Sequence, residues 1–367
     1  MALRNGILDH NAWTATHTGP APAYNNTLSL AKTPAELGVP KWTGTPEEAS
    51  RMMIAATRLY GGGMVGFQQL DDHWRNKLFH SGGTNPLVYE NVDQGYATTG
   101  ANAKYVIPTK DMWLLVVSGP EPRQTDRTGP SQIAKNNLVA NTFLRNGSYY
   151  GTWNFLRGLG YQSLGRIGHP TDNTHYGSST VLSGLAENSR QGNWVLSPET
   201  GAFMYIFTQT IDLPVAPTNP IDAGMWRWCH TCKKCAEHCP AGALDLRDAP
   251  TYEMPPIEGK ADTQHNPGVK HFWFNGSLCN LWIAENGVAQ MCSTCSGNCT
   301  FTIGNEAMLH TVLRSTISTT GTFNGFFYGM SKSFGYGGAM DNKEDFWNTP
   351  QPVMGIDSTI VIGNSRK

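Results

Sequence analysis

Residues 229–240 read Cys229-His230-Thr231-Cys232-Lys233-Lys234-Cys235-Ala236-Glu237-His238-Cys239-Pro240. Three cysteines are separated by two residues each, and a fourth follows after three residues with a proline behind it. Bacterial two-cluster ferredoxins bind iron–sulfur clusters with the same run of cysteines and proline. The stretch therefore predicts an iron–sulfur module.

The remaining four cysteines, Cys279, Cys292, Cys295 and Cys299, repeat the C-x2-C-x3-C ending, with the leading cysteine displaced upstream. In such a run three close thiolates bind one cubane, and the fourth cysteine reaches the other cluster. The spacing therefore predicts two [4Fe–4S] clusters. One would be bound by Cys229, Cys232, Cys235 and Cys299, and the other by Cys239, Cys279, Cys292 and Cys295.

Disulfides and zinc are the two other uses of this cysteine set. Disulfide frameworks are typical of small secreted domains, whereas a chain of 367 residues buries an adequate core without them. Structural zinc is the stronger alternative, because paired C-x2-C units also form four-thiolate zinc sites. The C-x3-C-Pro ending favours iron.

Composition restricts the classes of partner. The net charge is −1 and only 15% of residues are charged, so no basic surface indicates a nucleic acid. The 39% of hydrophobic residues suffice for a folded core. The longest apolar stretches, such as residues 112–117, are far shorter than the roughly 18 residues of a spanning helix. We expect no nucleic-acid partner and no membrane span.

Local patterns predict a mixture of helices and strands. Thr45-Pro46-Glu47-Glu48 is a capping box that begins a helix, which ends at Gly61. Further helices are predicted over 150–159 and 306–315, and strands over 105–107, 113–117 and about 202–210. The Pro-rich passage 213–220 indicates a boundary. We predict an extended arm over 1–42, a body over 43–215, the cysteine module over 216–305, and a segment over 306–367 that returns to the body.

An ordered set of short stretches carries a family resemblance. They are Trp42–Glu48, Phe155–Tyr161, Leu182–Arg190, Ser197–Gly201, Pro220–Gly224 and Phe346–Asp357. The chain from about 42 to 360 resembles the catalytic subunit of reductive dehalogenases, corrinoid and iron–sulfur enzymes that remove halogen from organic compounds. The resemblance implies an α+β fold: a nitroreductase-like, corrinoid-binding body with a ferredoxin-like module carrying two [4Fe–4S] clusters.

The resemblance also implies a reaction and its residues. The clusters would feed electrons to a base-off corrinoid (cobalamin), a carbon–halogen bond would become carbon–hydrogen, and a tyrosine would donate the proton. Tyr149 and Tyr150 are the candidates for this acid, with Arg190 stabilising its anion and Trp273 lining the substrate pocket. The competing interpretations are structural: an ordinary ion pair for Arg190, helix aromatics for the tyrosines and core packing for Trp273.

Partners and localisation follow from the same resemblance. It implies a small organohalide substrate, a low-potential electron donor, a small membrane-anchor protein and a place at the outer face of the cytoplasmic membrane. No export signal starts the sequence as given, so a cytoplasmic location is the alternative. Two other functions stay open: epoxyqueuosine reduction on tRNA, and electron transfer through two clusters without catalysis.

Overall fold

The computed structural model describes residues 31–78, 86–98, 100, 102–134, 136–164, 174–192, 194–253, 256, 259, 269–288, 292–302, 308–335, 338–352 and 355–356. Most of the predicted N-terminal arm, residues 1–30, lies outside this part. The chain divides into two compact units. The first contains the described residues of Met1–Gly119, Thr142–Leu185 and Tyr205–Pro220, and the second those of Pro120–Asn141, Ala186–Met204 and Ile221–Lys367.

Both units contain β-strands. Those within the described residues are β1 (Met64–Leu70), β2 (Leu87–Glu90), β3 (Tyr96–Ala97), β4 (Tyr105–Pro108), β5 (Met112–Pro120), β6 (Ser163–Leu164), β7 (Glu187–Asn188), β8 (Val195–Leu196) and β9 (Met204–Ile211). The main sheet has the order β1-β5-β9-β6, and β1 pairs antiparallel with β5 in the register Met64 to Ser118. A smaller sheet has the order β2-β4-β3, and β7 pairs with β8.

Helices of very different length connect these strands. They are α1 (Pro34–Leu37), α2 (Pro46–Leu59), α3 (Asp72–Leu78), α4 (Arg123–Asp126), α5 (Asn136–Leu159), α6 (Tyr176–Leu182), α7 (Met225–Thr231), α8 (Lys234–Glu237), α9 (Gly276–Glu285), α10 (Thr294–Gly297), α11 (Met308–Thr319) and α12 (Asn324–Ser333). Two 3₁₀ helices cover Thr300–Thr302 and Lys343–Asn348. None of the helices in the described ranges has the length and hydropathy needed to cross a bilayer.

The core of the first unit forms where α2 and α5 pack on the main sheet. Ala49 and Met53 lie one helical turn apart on α2 and are fully buried, and Leu156 of α5 joins the same cluster. All eight residues of β9 are buried, the apolar residues 204–207 as well as the polar Thr208, Gln209 and Thr210, so both faces of this strand are covered. Each fully buried large apolar side chain contributes about 1.5–3 kcal/mol relative to exposure.

The predicted elements are confirmed, with shifted ends. At α2 the Glu48 N–H donates to Thr45 Oγ1 (3.2 Å), and the Thr45 N–H donates to Glu48 Oε2 (2.9 Å), as the capping box requires. The strands predicted over 105–107, 113–117 and 202–210 are β4, β5 and β9. The helix predicted over 150–159 is α5, which begins 14 residues earlier, at Asn136. Helix α11 extends to Thr319, beyond the predicted end at 315.

The predicted domain boundaries stay predictions. The described residues of the C-terminal segment 306–367 lie in the second unit, together with the eight cysteines. A mixed helix and sheet architecture is established, as the sequence predicts.

Candidate functional site

Short helices position the cysteines of the second unit. Cys229 lies in α7, Cys235 in α8, Cys279 in α9 and Cys295 in α10, and Cys299 directly precedes the 3₁₀ helix Thr300–Thr302. Each of these helices has at most ten residues, so the chain reverses between cysteines instead of spreading them along one axis. All eight thiols are free of disulfides.

Two close approaches of the backbone hold this arrangement in place. Gly224, the N-cap of α7, has φ of 76°, and a Cβ there would lie 2.0 Å from the Ile317 carbonyl oxygen. Gly201 has φ of 67°, and a Cβ there would lie 2.1 Å from the Phe301 carbonyl oxygen. Only glycine combines a left-handed conformation with so little space, so both positions require it.

The electrostatic neighbours of the thiols divide into two sets. Burial raises the pKa of Cys235, and the thiols of Cys232, Cys229 and Cys299 raise it further. Burial also raises the pKa of Cys299 to about 12, with Cys232 again among its neighbours. We call these four cysteines, Cys229, Cys232, Cys235 and Cys299, the inner set.

The other four thiols interact mainly with one another. Burial raises the pKa of Cys295 to about 12, and its thiol neighbours are Cys292, Cys239 and Cys279. Cys279 in turn has Cys239 and Cys292 as neighbours. We call Cys239, Cys279, Cys292 and Cys295 the outer set, because each is partly exposed, whereas the inner thiols are 7–9% exposed. Cys235 also has Cys295 as a neighbour, so the two sets are adjacent.

The eight cysteines supply the thiolate donors that the two predicted [4Fe–4S] clusters would require, four for each. Within the described ranges no three Cys, His, Asp or Glu side chains form a group that could hold a metal ion. Some buried donors of the second unit have no hydrogen-bond partner among the described residues. They are the indole N–H groups of Trp228 and Trp273 and the hydroxyl of Ser293. Cluster sulfurs accept such hydrogen bonds.

Arg190 lies beside the first cysteine run, and its side chain is fully buried. It donates five hydrogen bonds, all to main-chain carbonyl oxygens: those of Cys229 (2.9 Å), His230 (3.2 Å), Cys232 (2.8 Å), Asp245 (2.7 Å) and Arg247 (2.8 Å). The guanidinium carbon also lies 3.9 Å from the centroid of the Phe272 ring, a cation–π distance. Most of its donor capacity is therefore used within the second unit.

The candidate acids lie in the other unit. Tyr149 is 3% exposed and belongs to the core cluster of the first unit. Its ring contacts those of Tyr150 (centroids 5.5 Å apart) and Phe207 (5.6 Å) edge-on. The structure thus brings the two tyrosines together on α5, and it brings Arg190 together with the cysteines.

Trp273 lies in the second unit, between two antiparallel bridges that join Leu244 to Phe274 and Thr251 to His271. Its main-chain N–H donates to Asp245 Oδ2 (3.0 Å). The predicted place of Trp273 in a substrate pocket stays a prediction.

Two buried charges near the cysteines were missed in the sequence. Lys234 is 4% exposed, and its Nζ donates to Ser331 Oγ (3.2 Å). Glu187 is 5% exposed and accepts the N–H of Trp226 (2.8 Å), in the first turn of α7, and that of Ala223, which directly precedes the N-cap Gly224. The position of Lys234 inside the cysteine run was the available signal for the first, whereas no local pattern indicates the second.

The chain matches one protein family and several of its members. A family model described as reductive dehalogenase subunit matches residues 7–85 and 80–215. The chloroethene reductive dehalogenase of Dehalococcoides mccartyi (strain VS) is 28% identical over 361 residues, covering 88% of this chain and 64% of that protein. The chain spans about three fifths of the length of the curated relatives it matches, 64% and 60% for two from Dehalococcoides mccartyi.

Solved structures support the same fold. The catabolic reductive dehalogenase NpRdhA superposes with a TM-score of 0.61 at 18% identity, over 80% of this chain and 37% of that one. A reductive dehalogenase structure that suggests a mechanism for B12-dependent dehalogenation gives a TM-score of 0.61 at 18% identity, over 84% of this chain and 39% of the other. At this identity the likeness concerns the fold alone.

Proposed function

Because this chain belongs to the family of reductive dehalogenase subunits, we propose that it takes part in the reductive dehalogenation of a small organohalide. In this reaction the carbon–halogen bond breaks, the halide leaves, and a carbon–hydrogen bond forms. Two electrons and one proton are consumed for each halide released. Chlorinated ethenes are the first substrate class to test, because the curated relative from strain VS acts on a chloroethene.

The grouping of the eight thiols into two adjacent sets of four carries this proposal. Each set would bind one [4Fe–4S] cluster: Cys229, Cys232, Cys235 and Cys299 the first, and Cys239, Cys279, Cys292 and Cys295 the second. The proximity of Cys235 and Cys295 supports a short electron path between the clusters. The outer set is partly exposed, which suits electron entry from a low-potential donor.

A corrinoid is the proposed reaction centre, because the family and the B12-dependent relative imply it. When bound base-off, it would supply the low-valent cobalt that reacts with the carbon–halogen bond. The first unit offers polar groups that a corrinoid's amides would satisfy. Seven of its buried side-chain oxygens have no hydrogen-bond partner in the described ranges: Thr57 Oγ1, Gln68 Oε1, Ser118 Oγ, Ser148 Oγ, Ser163 Oγ, Ser179 Oγ and Thr210 Oγ1. Unpaired buried groups of this kind are costly and often mark a missing ligand.

Tyr149 or Tyr150 is the proposed proton donor. Both lie in an apolar environment on α5, where a phenol stays protonated until a reacting carbanion needs its proton. The interaction of Arg190 with the phenolate stays a prediction. The contacts of Arg190 with the cysteine run favour a different role for this residue.

We propose the details of the fold, the partner protein and the cellular location on the same basis. The first unit would be the nitroreductase-like corrinoid-binding body, and the second would contain the ferredoxin-like module. A small membrane-anchor protein and a location at the outer face of the cytoplasmic membrane follow from the resemblance alone.

Turnover and iron content test the proposal together. Anaerobically purified, cobalamin-reconstituted protein with a reduced viologen dye should release chloride from chlorinated ethenes and form the hydrogen-substituted product. Cys229→Ala and Cys279→Ala should each lower iron from about eight to about four atoms per chain. Each variant controls for the other, since they remove different clusters.

Three results would contradict it. Unchanged iron in both variants would reject the ligand assignment. Full iron without cobalt binding or dehalogenation would favour a two-cluster electron carrier. Salt-sensitive tRNA binding would favour epoxyqueuosine reduction, although a net charge of −1 gives little basis for phosphate contacts.

A further inference from the structure

The guanidinium of Arg190 is a fully buried charge whose hydrogen bonds all go to main-chain carbonyl oxygens. Moving a cation out of water costs several kcal/mol, which neutral carbonyls and one aromatic face offset only in part. Within the described residues it forms no salt bridge, and Asp248, a carboxylate that interacts with it electrostatically, is exposed and paired with Lys233. A negatively charged group near the Cys229–Cys232 turn would complete its environment.

The bonds of Arg190 join two segments of the second unit. Its Nε donates to carbonyls on either side of the turn, those of Cys229 and Cys232, and its Nη1 donates to those of Asp245 and Arg247. A planar guanidinium fixes several acceptors at defined angles, which a flexible ammonium group does not. The turn that carries the first two cysteines is therefore held by this side chain.

A second buried basic side chain also lies near thiols of the inner set. Lys234 is 4% exposed, and the thiols of Cys232 and Cys299 are among its electrostatic neighbours. Arg190 is likewise an electrostatic neighbour of Cys229. The inner set therefore has two buried cations beside it.

The outer set has a different environment. The electrostatic neighbours found for Cys279, Cys292 and Cys295 are other thiols and the hydroxyl groups of Thr294 and Ser296. Positive charge is thus placed asymmetrically across the two sets. Cluster potentials depend on nearby charge, hydrogen bonds and exposure, so the asymmetry has a redox consequence.

We propose that Arg190 is the positioning residue of the inner set and holds the Cys229–Cys232 turn. Its charge, together with that of Lys234, raises the reduction potential of the inner cluster above that of the outer cluster. The inference rests on the proposed function, because it requires a cluster in each set. Reduction adds negative charge, which buried cations stabilise strongly at low dielectric. Burial alone would make the inner cluster the harder one to reduce, and the two cations reverse this order. Electrons entering at the outer cluster then settle on the inner one.

Redox titration followed by EPR tests the inference. Arg190→Met should shift the midpoint potential of the inner cluster to more negative values, by at least a tenfold change in its reduction equilibrium, or about 59 mV for one electron. The outer cluster should keep its potential. Arg190→Lys retains the charge but loses the planar guanidinium. The potential of the inner cluster should therefore stay closer to that of the wild type, while the EPR signal of this cluster changes.

Arg75→Met is the matched control. Arg75 also donates to three main-chain carbonyls, those of Leu70, Thr109 and Lys110, but it lies in the first unit. Its substitution should leave both potentials unchanged. Lys234→Met removes only the second cation and should shift the inner potential in the same direction as Arg190→Met, which keeps the charge effect measurable if Arg190→Met loses iron.

The outcomes separate this inference from the proposed function. Wild-type protein without clusters would reject the proposed function. Wild-type protein with about eight irons, combined with unshifted potentials in the Arg190 and Lys234 variants, would reject only the inference. The inference would also be overturned by a potential shift confined to the outer cluster, or by a wild-type inner cluster whose potential lies below that of the outer cluster.

Discussion

The carboxylate of Glu187 caps the helix that carries Cys229, and its charge makes a specific contribution to stability. Helix α7 has glycine as its N-cap, with no side chain that accepts from the first turn. Glu187 takes this role from β7, since its Oε2 accepts the Trp226 N–H at 2.8 Å and its Oε1 accepts that of Ala223. A buried carboxylate at a helix start satisfies free N–H groups and interacts favourably with the helix dipole.

The cost of Glu187→Gln is the sum of two effects. Loss of the charge removes about 0.5–1 kcal/mol of interaction with the dipole of a short helix. An amide has only one oxygen, so one of the two partly buried N–H groups faces an NH₂ and loses its acceptor, which costs about 1–3 kcal/mol. We therefore expect the variant to be about 1.5–4 kcal/mol less stable.

Urea unfolding of the reduced, metal-free protein measures this difference. Tryptophan fluorescence is a suitable signal, because Trp226 and Trp228 lie in α7. Glu48→Gln is the control: Glu48 is the exposed acidic residue of the capping box of α2, where glutamine also serves, so its stability should change little. A Glu187→Gln variant as stable as the wild type, or no less stable than the Glu48 variant, would refute this account of α7.

Three further predictions concern the acid, the core and the response to pH. Tyr149→Phe and Tyr150→Phe, made separately, should yield one strongly impaired enzyme with unchanged iron, and two fully active variants would place the proton donor elsewhere. Leu156→Ala, at a fully buried position of the core, should lower the free energy of unfolding by about 2–5 kcal/mol, and a loss below 1 kcal/mol in urea titrations would contradict the packing. Burial raises the pKa of Asp245, but hydrogen bonds from Arg247 outweigh it, and the folded-state pKa lies below 3.8. The ionised form therefore stabilises the fold above that pH, and this contribution is lost as the pH falls below about 4. Asp245→Asn should lose stability at neutral pH and show a flatter acid decline, and an unchanged acid profile would reject this role.

Local chemistry explains why part of the fold was predictable. The capping box at Thr45 and Glu48 is a short-range pattern with its own hydrogen bonds, and β5 is an apolar run bounded by turn residues. The start of α5 at Asn136 was missed, because Asn136, Asn137, Asn141 and Gly147 lower the helix propensity of this stretch. The composition of the two units from alternating chain segments likewise depends on long-range contacts.

The candidate site was likewise predictable from the sequence only in part. Cysteine spacing predicts the thiolate grouping, and the electrostatic neighbours of Cys235 and Cys295 agree with that grouping, although the ligand roles themselves stay predictions. The contacts of Arg190 were beyond the sequence, because its acceptors are carbonyl oxygens some 39 to 57 residues away. Main-chain acceptors exist at every residue and leave no sequence signature.

Metal analysis of anaerobically purified protein after cobalamin reconstitution tests the central claim most directly. Iron, cobalt and zinc would be counted per chain and compared with the EPR spectrum of the reduced protein. Two four-thiolate clusters and one corrinoid predict about eight irons and about one cobalt, with the signals of two interacting [4Fe–4S] clusters. Zinc in place of iron, or about four irons with a single cluster signal, would contradict the account.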